Sequence, residues 1–196
     1  MVKQIKDGFR LNKSSLPKNF PTHLHPSNFW EELGRTIGAF GFLENTLARA
    51  IYAFTGTKEK EMAESEVQAA LESWYKKLEK SLLDPLSNLI DVYAKSVKEH
   101  DLSDIDRFGN FIIELRKITV FRNVLCHGAW LEPSDEQGGS IPLFAHPKKG
   151  VWETRIDVKM LICIRKAVSD HAIFIMDSVH QLGFQFPGTV GPLKKI

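Results

Sequence analysis

Two long stretches of helical apolar spacing constrain the fold of this chain more than any other feature of its sequence. In the first, apolar residues follow one another at steps of 4, 3, 7, 4 and 3, which is the spacing of one helical face. In the second, which begins after Asp157, further apolar residues lie on other sides, as in the central helix of a bundle. The first face comprises Leu33, Ile37, Phe40, Leu47, Ile51 and Phe54, and the second Leu161, Ile164, Val168, Ala172, Ile175, Val179 and Leu182.

Three shorter segments add helices between these two. Apolar spacing predicts helices over residues 58–83 and 86–99, which Asp84-Pro85 separates because the residue before a proline avoids the helical conformation. A further helix is expected from a cap at Ser103 to about His127. The pattern therefore indicates a bundle of about five helices.

A small β-hairpin is predicted before the last helix. Residues 141–145 and 151–158 have the features of two short strands, and alternate residues of the second strand share one face. Gly150 suits the left-handed position of the connecting loop, and Asp157 suits the cap of the following helix. The expected fold class is all-α, with the hairpin at 141–158 inserted before the last helix.

The chain of 196 residues has the length of one domain with an irregular segment at each end. Three prolines break any helix within residues 1–26, which we expect to form an extended N-terminal arm on the domain surface. The helical domain is then expected to span residues 27–183, and residues 184–196 to form a C-terminal tail.

Composition excludes several classes of protein. Apolar residues make up 43% and charged residues 26% of the chain, an ordinary globular composition with no run of apolar residues long enough to span a membrane. The net charge of +2 and a pI near 8.5 give no sign of a nucleic-acid coat protein. Two cysteines and an N-terminus without an apolar signal core fit a reducing cytoplasm. His23 and His25 have no carboxylate or cysteine nearby, so we expect neither metal nor cofactor.

Two helices each carry one charged residue in an otherwise apolar stripe. Glu44 interrupts the stripe of the first helix, and Arg122 interrupts the stripe of the helix that ends near His127. Burying a lone charge costs several kcal/mol, so we expect these two side chains to face each other. Two alternatives remain open: the pair is purely structural, or Leu43 takes the stripe position and turns Glu44 outward.

The segment F-R-N-V-L-C-H-G, residues 121–128, combines three polar residue types that are useful in catalysis. Asn123 and His127 share a helix face, whereas Arg122 and His127 are about 140° apart around an ideal helix. Arg122 and His127 converge only if the long arginine side chain reaches round, if the helix is distorted near Gly128, or if a second subunit supplies one of them. A plainer interpretation is a C-cap, in which Gly128 ends the helix and His127 interacts with its dipole.

The segment R-N-V-L-C-H resembles the R-x(4–6)-H motif of the HEPN superfamily, including the polar residue after the arginine. HEPN domains are small α-helical bundles that include ribonuclease toxins of toxin–antitoxin and phage-defence systems. The helical order over residues 28–182 is similar, with Glu44 in the place of an acidic residue that faces the motif. The resemblance implies a metal-independent endoribonuclease that cuts single-stranded RNA by attack of the 2′-OH, leaving a 2′,3′-cyclic phosphate.

The resemblance also implies a role for each residue. His127 is expected to be the general acid or base, because imidazole titrates near neutrality. Arg122 is expected to stabilise the phosphoryl oxygens, Asn123 to orient His127 or bind phosphate, and Glu44 to hold the arginine. A homodimer and a nucleotidyltransferase-type antitoxin are the implied partners. The alternative is a catalytically silent domain that binds RNA or nucleotide, or serves as a dimerisation module.

Weaker candidates lie around the motif. Trp130 is a candidate to stack an RNA base, although packing under the hairpin is the favoured alternative. Lys148 and Lys149 are candidates for phosphate contacts, against the ordinary role of solvated loop lysines. Cys126 is expected to be a small buried residue rather than a nucleophile.

Overall fold

The computed structural model describes residues 10–56, 85–100, 105–133, 138–146 and 150–186. These residues form four α-helices and a two-stranded antiparallel sheet placed before the last helix, so the mostly helical fold with an inserted hairpin is confirmed. The helix predicted over 58–83 lies outside the described residues, and four helices are seen instead of about five. The helices are α1 (Ser27–Gly56), α2 (Leu86–Lys98), α3 (Ile105–His127) and α4 (Val158–Gln181); the strands are β1 (Ala145–His146) and β2 (Gly150–Val151).

The core lies mainly between α1 and α4, which pack on each other more extensively than any other pair of described elements. The hydroxyl of Thr36 on α1 donates to the carbonyl of Leu161 on α4 at 3.2 Å. One face of α4 is buried as predicted, but Ile173 on the opposite side is 55% exposed. The last helix is therefore amphipathic, and among the described residues it is not enclosed on all sides as its sequence suggested.

The ends of the helices are set by residues that the sequence identifies. The carboxylate of Asp157 accepts a hydrogen bond from the backbone N–H of Met160 at 2.8 Å, which makes it the predicted N-cap of α4. Helix α2 begins directly after Pro85, and α3 ends at His127. The cap predicted at Ser103 lies outside the described residues.

The two arms of the hairpin keep one pairing register along their length, but the backbone hydrogen bonding between them is interrupted in the middle. Ala145 pairs with Val151, and a separate bridge between Ser140 and Ile156 has the same register. Between them stands Pro142, which has no N–H to donate to the carbonyl of Thr154. The indole N–H of Trp152 donates to that carbonyl instead, at 2.6 Å.

The second strand is therefore shorter than predicted. Regular pairing ends at Val151, and only the bridge at Ile156 continues it. Val158, expected to end this strand, is the first residue of α4, because the Asp157 cap starts the helix. Gly150 has φ +80°, so the left-handed position predicted for it is confirmed.

The segments expected as arm and tail contact the helices. Residues 10–26 form a short 3-10 turn at Lys13–Ser15 and further turns up to His25, whose side chain is buried. Phe186 is only 2% exposed and belongs to the hydrophobic core. Residues 1–9 and 187–196 lie outside the described residues.

Candidate functional site

The structure brings together the two charged side chains that interrupt the apolar stripes. Nε of Arg122 on α3 lies 3.3 Å from Oε1 of Glu44 on α1. Both side chains are half-buried, at 31% and 28% exposure, so neither is sealed in the core. Leu43, the alternative occupant of the stripe, is fully buried while Glu44 still reaches the arginine. Because water can reach this ion pair, it contributes little to stability. The same partial exposure lets other anions reach the guanidinium.

The guanidinium of Arg122 also reaches the other two residues of the motif. Its Nη1 lies 3.5 Å from Oδ1 of Asn123 and 3.5 Å from Nε2 of His127. Of the three routes to convergence, the structure uses the long arginine side chain, within one chain and on one helix. A guanidinium can only donate, so a hydrogen bond across this contact needs Nε2 of His127 as its acceptor.

His127 is placed at an open end of the helix. It is the last residue of α3 and its side chain is exposed, so a large substrate can approach it. The guanidinium has five N–H donors, and its three acceptors do not occupy all of them. The cluster thus combines an imidazole acceptor with a positioned cation that can still bind a phosphate.

Gly128 fixes the direction of the chain after His127. A Cβ at this position would lie 2.6 Å from the carbonyl oxygen of Val124 and 2.9 Å from Cβ of Pro142. The Gly128 N–H donates to that same carbonyl at 2.8 Å, and the next residue, Ala129, forms a bridge with Leu143. Glycine is needed here because a side chain would not fit between the chain, Val124 and Pro142. A left-handed backbone is not the reason, since the described glycines with positive φ are at other positions.

An apolar sheet face adjoins the site. The alternation of side chains along a strand, with the pairings of Ala145 with Val151 and of Ala129 with Leu143, places six residues on one face of the segments 129–131, 141–145 and 150–151. The four larger side chains of this face are between 44% and 60% exposed. The alternation in 141–145 was visible in the sequence, but not which side would face solvent. The face comprises Ala129, Leu131, Ile141, Leu143, Ala145 and Val151.

The weaker candidates are placed less favourably for catalysis. Trp130 is half-buried, with its ring 5.0 Å from that of Phe29 and 6.2 Å from that of His25. Its aromatic partners thus belong to the start of α1 and the N-terminal segment, and it also packs against the hydrophobic core. Lys148 and Lys149 lie outside the described residues. Cys126 is exposed rather than buried, because it lies on the outer side of the last turn of α3.

Within the described part of the chain, no group of three or more His, Cys, Asp or Glu side chains could hold a metal ion. In the same residues, no helix is both long and apolar enough to cross a membrane. Comparisons of this chain with protein-family models, with curated proteins and with solved structures find no match.

Proposed function

We propose that this protein is a metal-independent endoribonuclease of the HEPN type that cuts single-stranded RNA. The observation that carries the proposal is the cluster of Arg122, Asn123 and His127 at the exposed end of α3, with the guanidinium 3.5 Å from Nε2 of the histidine. A structural cap needs only the His-Gly pair, so it does not account for an arginine that reaches the same imidazole. The role proposed for the protein is that of a cytoplasmic toxin or phage-defence effector.

In the proposed reaction the 2′ oxygen of a ribose attacks the adjacent phosphorus. Nε2 of His127 accepts the proton of the 2′-OH once the bound phosphate replaces it as the acceptor of the Arg122 Nη1 N–H, which frees the Nε2 lone pair. The bond from phosphorus to the 5′ oxygen breaks, and that oxygen leaves with a proton from water, while the proton that His127 took up neutralises the remaining hydroxide. The products are a 2′,3′-cyclic phosphate and a 5′-OH.

The cation and its supports act on the same phosphate. Negative charge grows on the non-bridging oxygens as the 2′ oxygen attacks, and Nη2 of Arg122, together with the Nη1 N–H that His127 gives up, can donate two parallel hydrogen bonds to them. Glu44 contacts Arg122 through Nε, at 3.3 Å, and so holds the guanidinium without using the Nη groups that would bind the phosphate. Asn123 accepts from Nη1 and so orients the guanidinium towards His127. Glu44 is thus a positioning residue.

Two partners belong to this proposal. The exposed apolar face beside the site supports a homodimer, because a second copy would shield it from water. A nucleotidyltransferase-type antitoxin is the partner implied by the HEPN resemblance. Co-expression with such a protein should relieve growth arrest if it neutralises this chain.

A second candidate function is a catalytically silent domain that binds RNA or nucleotide, or mediates dimerisation. The observation that favours it is the Glu44 carboxylate at 3.3 Å from Arg122, which partly neutralises the cation as a structural ion pair would. In that case the cluster holds phosphate or links α1 to α3 without cutting RNA.

The deciding experiment measures cleavage of single-stranded RNA by purified protein in the presence of EDTA. We expect the wild type to cut, and the variants His127→Ala, Arg122→Ala and Arg122→Lys to lose about 100-fold or more in rate. Arg116→Ala is a matched control, since Arg116 lies on the same helix in an exposed ion pair with Asp91. Analysis of the 3′ ends should show cyclic phosphate.

The other outcomes are equally decisive. Equal cleavage by all variants would indicate a contaminating nuclease and remove the proposal. RNA binding without cleavage by the wild type would favour the silent domain. Growth arrest on expression that His127→Ala abolishes would support the toxin role.

A further inference from the structure

His25 is a buried histidine at the junction of three segments. Its side chain is 6% exposed, and its Nε2 lies 3.1 Å from Oγ of Ser140. The rings of Phe29, Trp30 and Trp130 surround it at centroid distances of 4.3, 5.6 and 6.2 Å. The imidazole thus joins the N-terminal segment to the start of α1 and to the loop that follows His127.

Two neighbouring contacts hold the same part of the chain. Pro26 packs so closely on Gly138, which has φ +75°, that a Cβ on the glycine would lie 2.9 Å from Cδ of the proline. The indole N–H of Trp30 donates to the carbonyl of Thr22 at 2.7 Å. Residues 22–26 are therefore held at three points, and His25 provides the only one of these contacts with a titratable side chain.

The surroundings of His25 suit a neutral ring. Its Nδ1 is buried and has no hydrogen-bond partner in the described part of the chain. A protonated imidazole has two N–H donors, and only the Ser140 hydroxyl is placed to accept one of them. Burial lowers the pKa of His25 below its ordinary value of 6.5. Stacking on Trp30 favours a cation, but by less than the loss of water opposes it.

Within the residues that the structure describes, no charged side chain forms a hydrogen bond or ion pair with His25. On α1, Glu31 pairs with Arg35 and Glu32 pairs with Arg165. On the hairpin, Arg155 lies against Gly139 and pairs with Asp157 at 2.8 Å. Two further titratable neighbours along the described chain, His23 and Glu132, are exposed, and Asp135 and Glu136 lie outside the described residues.

We propose that His25 is a proton-operated latch, which as a neutral ring holds the segment 10–26 against the loop after His127 and on protonation releases it. Release removes the imidazole that packs on Trp130, three residues beyond His127, so it also loosens the loop adjoining the candidate site. The latch is independent of the proposed nuclease activity, and its test needs no RNA.

The test is hydrogen–deuterium exchange of residues 10–26 in the full chain at pH 7.5 and pH 5.0, corrected for the intrinsic effect of pH on exchange. In the wild type we expect exchange of this segment to rise at the lower pH, because a ring whose pKa is lower in the closed state opposes closure once it is protonated. His25→Phe fills the same space without titrating, so its exchange should not respond to pH. His25→Lys should release the segment at both pH values.

His23→Phe is the matched control, because His23 is exposed and two residues away, and this variant should keep the wild-type response. Equal exchange of the wild-type segment at both pH values would overturn the proposal, as would an unchanged response in His25→Phe. If the His25 variants fail to fold, NMR titration of the wild-type imidazole decides the question. A pKa of His25 at or above 6.5 would overturn the latch.

Discussion

The length of the arginine side chain explains why Arg122 and His127 can act on one phosphate although they point in different directions from α3. A guanidinium at the end of three methylene groups can cross the helix surface, and here its Nη1 comes within 3.5 Å of the imidazole five residues on. The lysine ammonium is a point charge that cannot offer a planar fork to Glu44 and a phosphate at the same time. The geometry of the site thus depends on this residue type and not only on its charge.

Gly128 is the residue whose substitution should affect both the stability and the site. In Gly128→Ala the new Cβ would meet the Val124 carbonyl oxygen at 2.6 Å, so we expect the free energy of unfolding to fall by about 1–3 kcal/mol. Gly109→Ala on the same helix meets nothing within 4 Å and should gain up to about 1 kcal/mol. Urea denaturation measures both. Equal stability of the two variants would show that the close approach at Gly128 is unimportant.

At the scale of elements, single residues decide where a helix starts and how far a strand continues. Asp157 starts α4 because its carboxylate accepts the Met160 N–H, and Arg155 holds that carboxylate at 2.8 Å. Pro142 stops the regular ladder of the hairpin because it lacks an N–H. The effect of Pro142 reaches the site, since the hairpin strand that it interrupts pairs through Leu143 with Ala129, two residues after His127.

Removal of the α4 cap should have a pH-dependent cost. The hydrogen bond from Met160, with a smaller contribution from Arg155, lowers the pKa of Asp157 below 3.8. Because the pKa is lower in the folded state, the stabilisation is present above about pH 3.8 and is lost as the pH falls through the folded-state pKa. Asp157→Ala should therefore cost about 0.5–2 kcal/mol at pH 7 and progressively less below pH 3.8.

Urea denaturation across this pH range tests the cap, with Asp170→Ala as a control because Asp170 is exposed within α4. The control should change stability by less than about 0.5 kcal/mol. A difference between wild type and Asp157→Ala that is the same at pH 7 and at pH 2 would contradict the assignment of the effect to the ionised carboxylate.

At the scale of the whole molecule, the hairpin has apolar residues on both faces. One face packs inward through Phe144 and Trp152, which contact the core. The other carries Leu143 and Val151 at 59% and 60% exposure. Apolar surface in contact with water is unfavourable, and a second copy of the chain would remove it.

We therefore expect the wild type to be a dimer in solution, with twice the 22.3 kDa mass of one chain. The double variant Leu143→Lys, Val151→Lys should have the mass of one chain, because two lysines on each copy would repel across a two-fold interface. Ile173→Lys is the control, since Ile173 is 55% exposed on α4, away from this face. Light scattering distinguishes these outcomes. A wild-type mass of one chain at all concentrations would remove the homodimer from the proposal.

Local patterns in the sequence were sufficient to predict whether most described elements are helices or strands and where most of the helices begin and end. Helical periodicity places α1, α2 and α4, a carboxylate before an apolar run identifies the start of α4, and a glycine identifies the hairpin turn. These predictions succeed because they depend on residues within one or two turns of each other. The same patterns selected Glu44 and Arg122, since a charge in an apolar stripe is visible without any tertiary structure.

Only the tertiary structure decided how distant residues meet. The contact between Glu44 and Arg122 joins residues 78 positions apart, and it depends on how α1 and α3 are aligned against each other. Burial of His25 beside Ser140 spans 115 positions and was not visible in a segment that reads as a polar, proline-containing arm. The solvent-exposed side of the hairpin was likewise undetermined, because both of its faces are apolar. Such features depend on the packing of side chains from remote segments, which no local period in the sequence encodes.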